Sequence, residues 1–186
     1  MKVMSGMPAI DQQCQPAGLL RRLGAILSDS LVMFGLLALT TLIIFVPILH
    51  KLGKNAMVPA EVGWLWSGLY FLTLLSVCFG FFGYFWRRSG QTIGMRAWRI
   101  KVETCEGRLL TWSVSLRRWV LALSPWAISM VAFNMAEEMH STFLKAAGAG
   151  VILLGLAGVL VMYTNPERLT WYDRLSNSRL ILLTEL

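Results

Sequence analysis

The chain has 186 residues, of which 56% are hydrophobic and only 15% charged, with 17 Lys+Arg against 10 Asp+Glu and a net charge of +7. A soluble domain carries about 25% charged residues, so an ordinary water-soluble fold is excluded, and lipid is the solvent to reason with. In that setting the basic excess reports orientation before it reports any polyanion, and no nucleic-acid partner is expected.

Spanning the hydrocarbon takes about 20 mostly apolar residues, and four stretches approach that length. The first, 23–49, is broken by one charge, Asp29; the second, 62–86, has none. The third, 119–136, carries Pro125 and Asn134, where Ser124-Pro125 is expected to break or kink a helix; the fourth, 146–166, is rich in Gly and Ala. The run after Arg21-Arg22 is too long for a signal-peptide core, so a retained first helix is expected.

Lys and Arg flanking the spans set orientation. With four spans, the tail 1–15 with its extension to Arg22, the loop 87–118 and the tail from 167 share one side and hold three, eight and three basic residues. Only Lys51, Lys54 and Lys145 lie opposite. Fourteen against three places both termini and the long loop in the cytoplasm. Trp64, Trp66, Tyr84, Phe85, Trp86 and Trp119 sit at span ends, as an aromatic belt requires.

The middle loop is too apolar for a free linker. From Gly90 it reads GQTIGMRAWRI, in which Ile93, Met95 and Trp98 are expected to face lipid from a short interfacial helix while Arg96 and Arg99 face headgroups. Ile100, Val102 and Thr104 alternate with Lys101 and Glu103, a strand period, and Cys105-Glu106-Gly107 turns the chain toward Arg108-Leu109-Leu110-Thr111, predicting a β-hairpin. Ser113 or Ser115 is the expected N-cap of the third helix. The chain end repeats part of this plan: Thr92 precedes Arg96 as Thr170 precedes Arg174, each followed by a strand-like run, and Leu180 to Leu183 is positioned to join the hairpin. Such sparse matches also arise by chance.

Asp29 is the costly residue, since an acid at mid-span costs roughly 2.5–3.5 kcal/mol on an insertion scale. Arg22 lies about 10 Å away along a helix and is expected to snorkel to phosphates, leaving Asp29 to Arg118, another loop arginine, a water or a cation. Asp173, among Arg168, Arg174 and Arg179, reads as a salt bridge anchoring the C-terminal segment. Gly24, Ser28 and Gly35, and Gly148, Gly155 and Gly158, form small-residue ridges suited to close helix approach. Three scattered cysteines and two histidines show no metal-ligand spacing, no paired acids or nucleophile with base suggest an enzyme, and no cofactor is expected.

The strings RRLGAILSD, GQTIGMRAWRI and TWYDRLSNSRLI resemble the RDD family of bacterial membrane proteins, named for one arginine and two aspartates. The resemblance matches Arg22, Asp29 and Asp173 to those three residues, and Gly90, Gln91, Thr92, Gly94, Arg96, Arg118 and Arg174 to their flanking pattern. It implies a compact helical membrane domain over 16–184 and transport of an ion or small solute, with cation/proton exchange among the activities proposed for such proteins. Tyr172 stands where many relatives have a histidine, which weighs against a proton relay there.

The expected architecture is therefore an all-α membrane protein of the bacterial inner membrane. It has four transmembrane helices, both termini inside, and a small cytoplasmic element of interfacial helix and β-hairpin. Transport through so few spans calls for a homo-oligomer, with a cation or proton at Asp29. The competing expectation is a non-transporting accessory protein whose Arg21, Arg87, Arg88, Arg99 and Arg117 grip anionic lipid headgroups of the bilayer or a cytoplasmic partner.

Overall fold

The computed structural model describes residues 15–52, 63–164, 166 and 168–183. The tail before Gln15 and the segment around Lys54 lie outside them. Helices α1 (Leu19–Leu52), α2 (Gly63–Arg88), α4 (Trp112–Glu138) and α5 (Thr142–Leu160, extended by a 3-10 turn over Val161–Thr164) are long. Between and after them come short α3 (Ile93–Ala97), β1 (Ile100–Thr104), α6 (Trp171–Leu175) and β2 (Ser178–Leu182). Among the described residues, four helices are long and apolar enough to cross a membrane.

Three of the four spans begin earlier than the hydrophobic blocks suggest. Helix α1 starts at Leu19, so Arg22 belongs to its first turn. Its 34 residues reach about 51 Å, well beyond a hydrocarbon core of ~30 Å. Helix α4 is capped by Thr111, whose side chain accepts from Val114 N–H, and not by Ser113 or Ser115. Arg117 and Arg118 are therefore helical.

Pro125 does not break α4, which is continuous. The proline lacks the N–H that would bond the Leu121 carbonyl, and Ser124 Oγ donates to that carbonyl instead, at 2.9 Å. Four residues on, Ser129 Oγ donates to Pro125 O at 2.7 Å and reaches Gly148 O of α5 at 2.9 Å. Gly148 and Gly155 lie against Ala132 and Pro125 of α4. That ridge closes a helix pair within the chain and is not free for a second copy.

The expected hairpin is corrected. At the turn around Gly107, Thr104 N–H donates to Arg108 O at 2.8 Å, and the chain then leaves to bury Leu110 and cap α4 at Thr111. Too few residues remain for a returning strand. Strand β1 pairs instead with β2, antiparallel, with Ile100 opposite Leu182, Val102 opposite Leu180 and Thr104 opposite Ser178. Residues 15–17 run along the other edge of β2 through Ala17 N–H to Leu180 O and Leu182 N–H to Gln15 O.

The internal repeat is structural. Thr92 caps α3 and Thr170 caps α6; both helices have five residues and lead into five-residue strands. The residue before each strand takes a positive φ, Arg99 at 53° and Asn177 at 55°. The β register is centred on the equivalent pair Val102 and Leu180, so the two units face each other across a pseudo-two-fold axis.

The buried apolar core lies at this end of the bundle, where Ala17, Ala25, Trp86, Met95, Ile100, Val102, Leu110 and Leu180 meet. Along the spans, Leu27, Leu31 and Phe34 point outward, the arrangement that a lipid solvent allows and water does not. Met95, expected at the lipid face, is buried in the core; Ile93 and Trp98 remain exposed.

Candidate functional site

Arg22, Asp173 and Arg118 form one buried cluster. Arg22 Nη1 lies 2.7 Å from Asp173 Oδ2, and Arg118 Nη1 lies 2.6 Å from Oδ1. Asp173 is the third residue of α6, and it closes a capping box: Thr170 N–H donates to its carboxylate at 3.0 Å, while Asp173 N–H donates to Thr170 Oγ1 at 3.3 Å. Arg22 uses its remaining nitrogens on the Ala17 and Arg168 carbonyls, at 3.1 and 2.8 Å. Arg118 donates to Ser178 Oγ and lies between the rings of Trp86 and Tyr172, 5.6 and 5.3 Å from their centroids.

Two expectations change here. Arg22 does not snorkel to headgroups. A helical side chain leans toward its N-terminus, and from the first turn of α1 that direction leads into the α3–β1–α6–β2 layer. Asp173 does anchor the C-terminal segment, but its partners come from α1 and α4. Of the arginines near it in sequence, Arg168 offers only a carbonyl, Arg174 is exposed, and Arg179 pairs with Glu103 at 2.7 Å.

Burial alone would raise the Asp173 carboxyl, but Arg118 and Arg22, with the Thr170 N–H, outweigh it and hold it below the usual 3.8. With its folded value depressed, the carboxylate contributes stability that is complete above pH 3.8 and lost as pH falls through the lower folded value. Acid titration of the melting temperature should show this limb in the wild type and lack it in Asp173→Asn.

Asp29 sits in a different environment, also buried. Its carboxylate accepts from Thr92 Oγ–H and, at 2.7 Å, from Gly94 N–H. Thr92 Oγ1 in turn accepts from Met95 N–H at 3.2 Å as the α3 N-cap. Neither Arg118 nor a loop arginine reaches Asp29; among the described residues no cation pairs with it. The first repeat has Met95 where the second has Asp173, so α3 lacks an acid of its own and α1 supplies one.

This contact explains the glycine-rich string. A Cβ at Gly94 would sit 2.4 Å from Ala25 O and 2.9 Å from the Asp29 carboxyl carbon. Gly90 adopts φ +71°, and Gln91 Nε2 donates to Ile100 O at 2.9 Å, which together turn α2 into α3 and β1. The Trp98 ring covers Gly24 and donates to Ser28 Oγ at 3.3 Å, so that part of the α1 ridge is occupied within the chain, whereas Gly35 is open. Gly94→Ala should displace α3 from α1 and cost about 1–3 kcal/mol, an overpacking penalty; thermal melting of the purified variant reads it.

Asp29, Arg22 and Arg118 all line a cavity of about 270 Å³ between α1, α2 and α4. Helix α2 packs on both α1 and α4, whereas α1 and α4 touch each other little. Thr92 and Tyr172 also line it, and the rest of the wall is apolar, with Phe82, Trp86, Trp119 and Leu123 from the spans and Met95 and Val102 from the layer.

The arginines expected at headgroups are on the outside of the same end. Arg21 donates to Trp98 O at 3.3 Å, Arg87 lies over Trp112, and Arg88 donates to the Tyr84 hydroxyl. Arg96, Arg99, Arg117 and Arg174 are exposed. The sequence reading missed Thr111, Ser129 and the ring sandwich of Arg118. The T-x-x-D pattern at Thr170–Asp173 was a readable capping signal.

No curated protein and no solved structure matches the chain. The RDD family model matches residues 16–177, which contain Arg22, Asp29 and Asp173, and the chain belongs to the RDD family of membrane proteins.

Proposed function

We propose that this protein moves an ion or small solute across a bacterial inner membrane, with Asp29 as the group that binds a proton or cation. The observation that carries the reading is the contrast between its two aspartates. Asp173 is neutralised by two arginines and fully enclosed, whereas Asp29, among the described residues, has hydrogen-bond donors only and lines the cavity. An acid kept inside a span without a counter-ion points to an ion or proton role.

In this reading the layer and both termini face the cytoplasm, because the exposed arginines gather there and Lys145 lies at the other end of α5. A reporter fused at Lys145 should read as external. Conduction through a complete pathway calls for a homo-oligomer, assembled on faces such as the open one at Gly35. The protein is read as a transporter and not as an enzyme.

A second reading draws on Arg21, Arg87, Arg88, Arg99 and Arg117. Near-surface basic residues each add about 1 kcal/mol of attraction to anionic lipid, enough for an accessory protein held at headgroups or on a partner. Proteoliposomes with imposed proton and sodium gradients separate the two. Flux supports transport; tight binding of anionic lipid without flux under either gradient favours the accessory role.

A further inference from the structure

The cavity beside Asp29 suits an organic cation better than a metal ion. A hard metal cation gathers about six oxygen ligands, and the lining residues with a side-chain oxygen are few: Asp29, Thr92, whose hydroxyl is already shared with Met95 N–H, and Tyr172. Among the described residues no three His, Cys, Asp or Glu side chains come together. An ammonium group has smaller needs, since one carboxylate supplies both its charge partner and an acceptor.

The rest of the wall is built for hydrocarbon. Ile26, Phe82, Met95, Trp119 and Leu123 line it, and Ile26 and Leu123 are 57% and 39% exposed, so the rim opens on the outer face of α1 and α4. That face meets lipid, which makes the entry sideways from the bilayer. Arg22 and Arg118 also line the cavity, but they share Asp173, and Arg118 is further engaged by Ser178 and two rings. Among the described residues, Asp29 is the charge in this wall with no opposite charge against it.

We infer that the cavity is a binding site for a cationic amphiphile, an alkylamine whose ammonium group sits on Asp29 and whose chain lies between α1 and α4. This rests on the reading of Asp29 as the cation-binding group and gives that site a ligand class.

The probe is decylammonium, titrated onto the full chain in nanodiscs of zwitterionic lipid and read by tryptophan fluorescence against empty discs, with decanol and decanoate as matched chains. Saturable binding of decylammonium is expected, weakened at least about tenfold in Asp29→Asn, the worth of a charge-assisted hydrogen bond. Ala122→Phe fills the cavity without touching the polar network and should abolish binding. Equal binding of the three chains, or binding unchanged in either variant, overturns the inference. Asp29-dependent proton or sodium flux with no decylammonium binding also overturns it, leaving ion transport in place. Decylammonium binding without any flux supports the site and removes the transport reading.

Discussion

Replacing Asp173 with asparagine will destabilise the protein by about 3–5 kcal/mol, the cost of removing one partner from a buried ion pair. Two guanidinium groups, 4% and 6% exposed at the side chain, would be left without a counter-charge. The damage extends beyond the pair. The same carboxylate caps α6 on Thr170 N–H, α6 leads directly into β2, and β2 holds both β1 and residues 15–17. Thermal melting in detergent measures the loss, and limited proteolysis should find the region after Thr164 opened first. Arg22→Ala should give a loss of the same order by exposing the other side of the pair. Wild-type stability in Asp173→Asn would mean that the cluster is peripheral to the fold.

Asp29→Ala has the second large effect. It leaves Thr92 Oγ–H and Gly94 N–H buried beside a void, at about 1–3 kcal/mol for each unsatisfied donor. Helix α3 should then detach from α1, which exposes Trp98 further and loosens β1. Asp29→Asn is milder, because its amide oxygen still accepts from Gly94 N–H while the negative charge is gone. The pair of variants thus separates what Asp29 does as an acceptor from what it does as a charge. A red shift in tryptophan emission and a lower melting temperature are expected for alanine, with asparagine close to wild type in both.

The spans and their number were readable because a lipid solvent imposes one simple rule on them, twenty or so apolar residues in a row. Their starts were not, because Arg22 and Arg118 look like loop residues until a buried carboxylate neutralises them. Asp173 lies more than fifty residues along the chain from Arg118 and far more from Arg22, and spacing along the sequence carries no signal for such pairings. The hairpin expectation failed for a related reason. Local alternation identified β1, but whether Arg108–Thr111 or Ser178–Leu182 completes it depends on Thr111 being taken as the α4 cap. The matching Thr92 and Thr170 motifs, sparse as letters, were a true guide because each specifies the same physical unit: a capped turn, a positive-φ residue and a strand.

Asp29 and Asp173 therefore do different work in this chain. Asp173 is a structural charge, enclosed and paired; Asp29 is a hydrogen-bonded acid on a cavity. The most direct test of that division is gradient-driven flux in proteoliposomes, comparing wild type with Asp29→Asn after both have been shown to melt at similar temperatures. Loss of flux in a variant that folds normally is the expected result. Unchanged flux through properly folded Asp29→Asn would contradict the account and reduce Asp29 to the cap of α3.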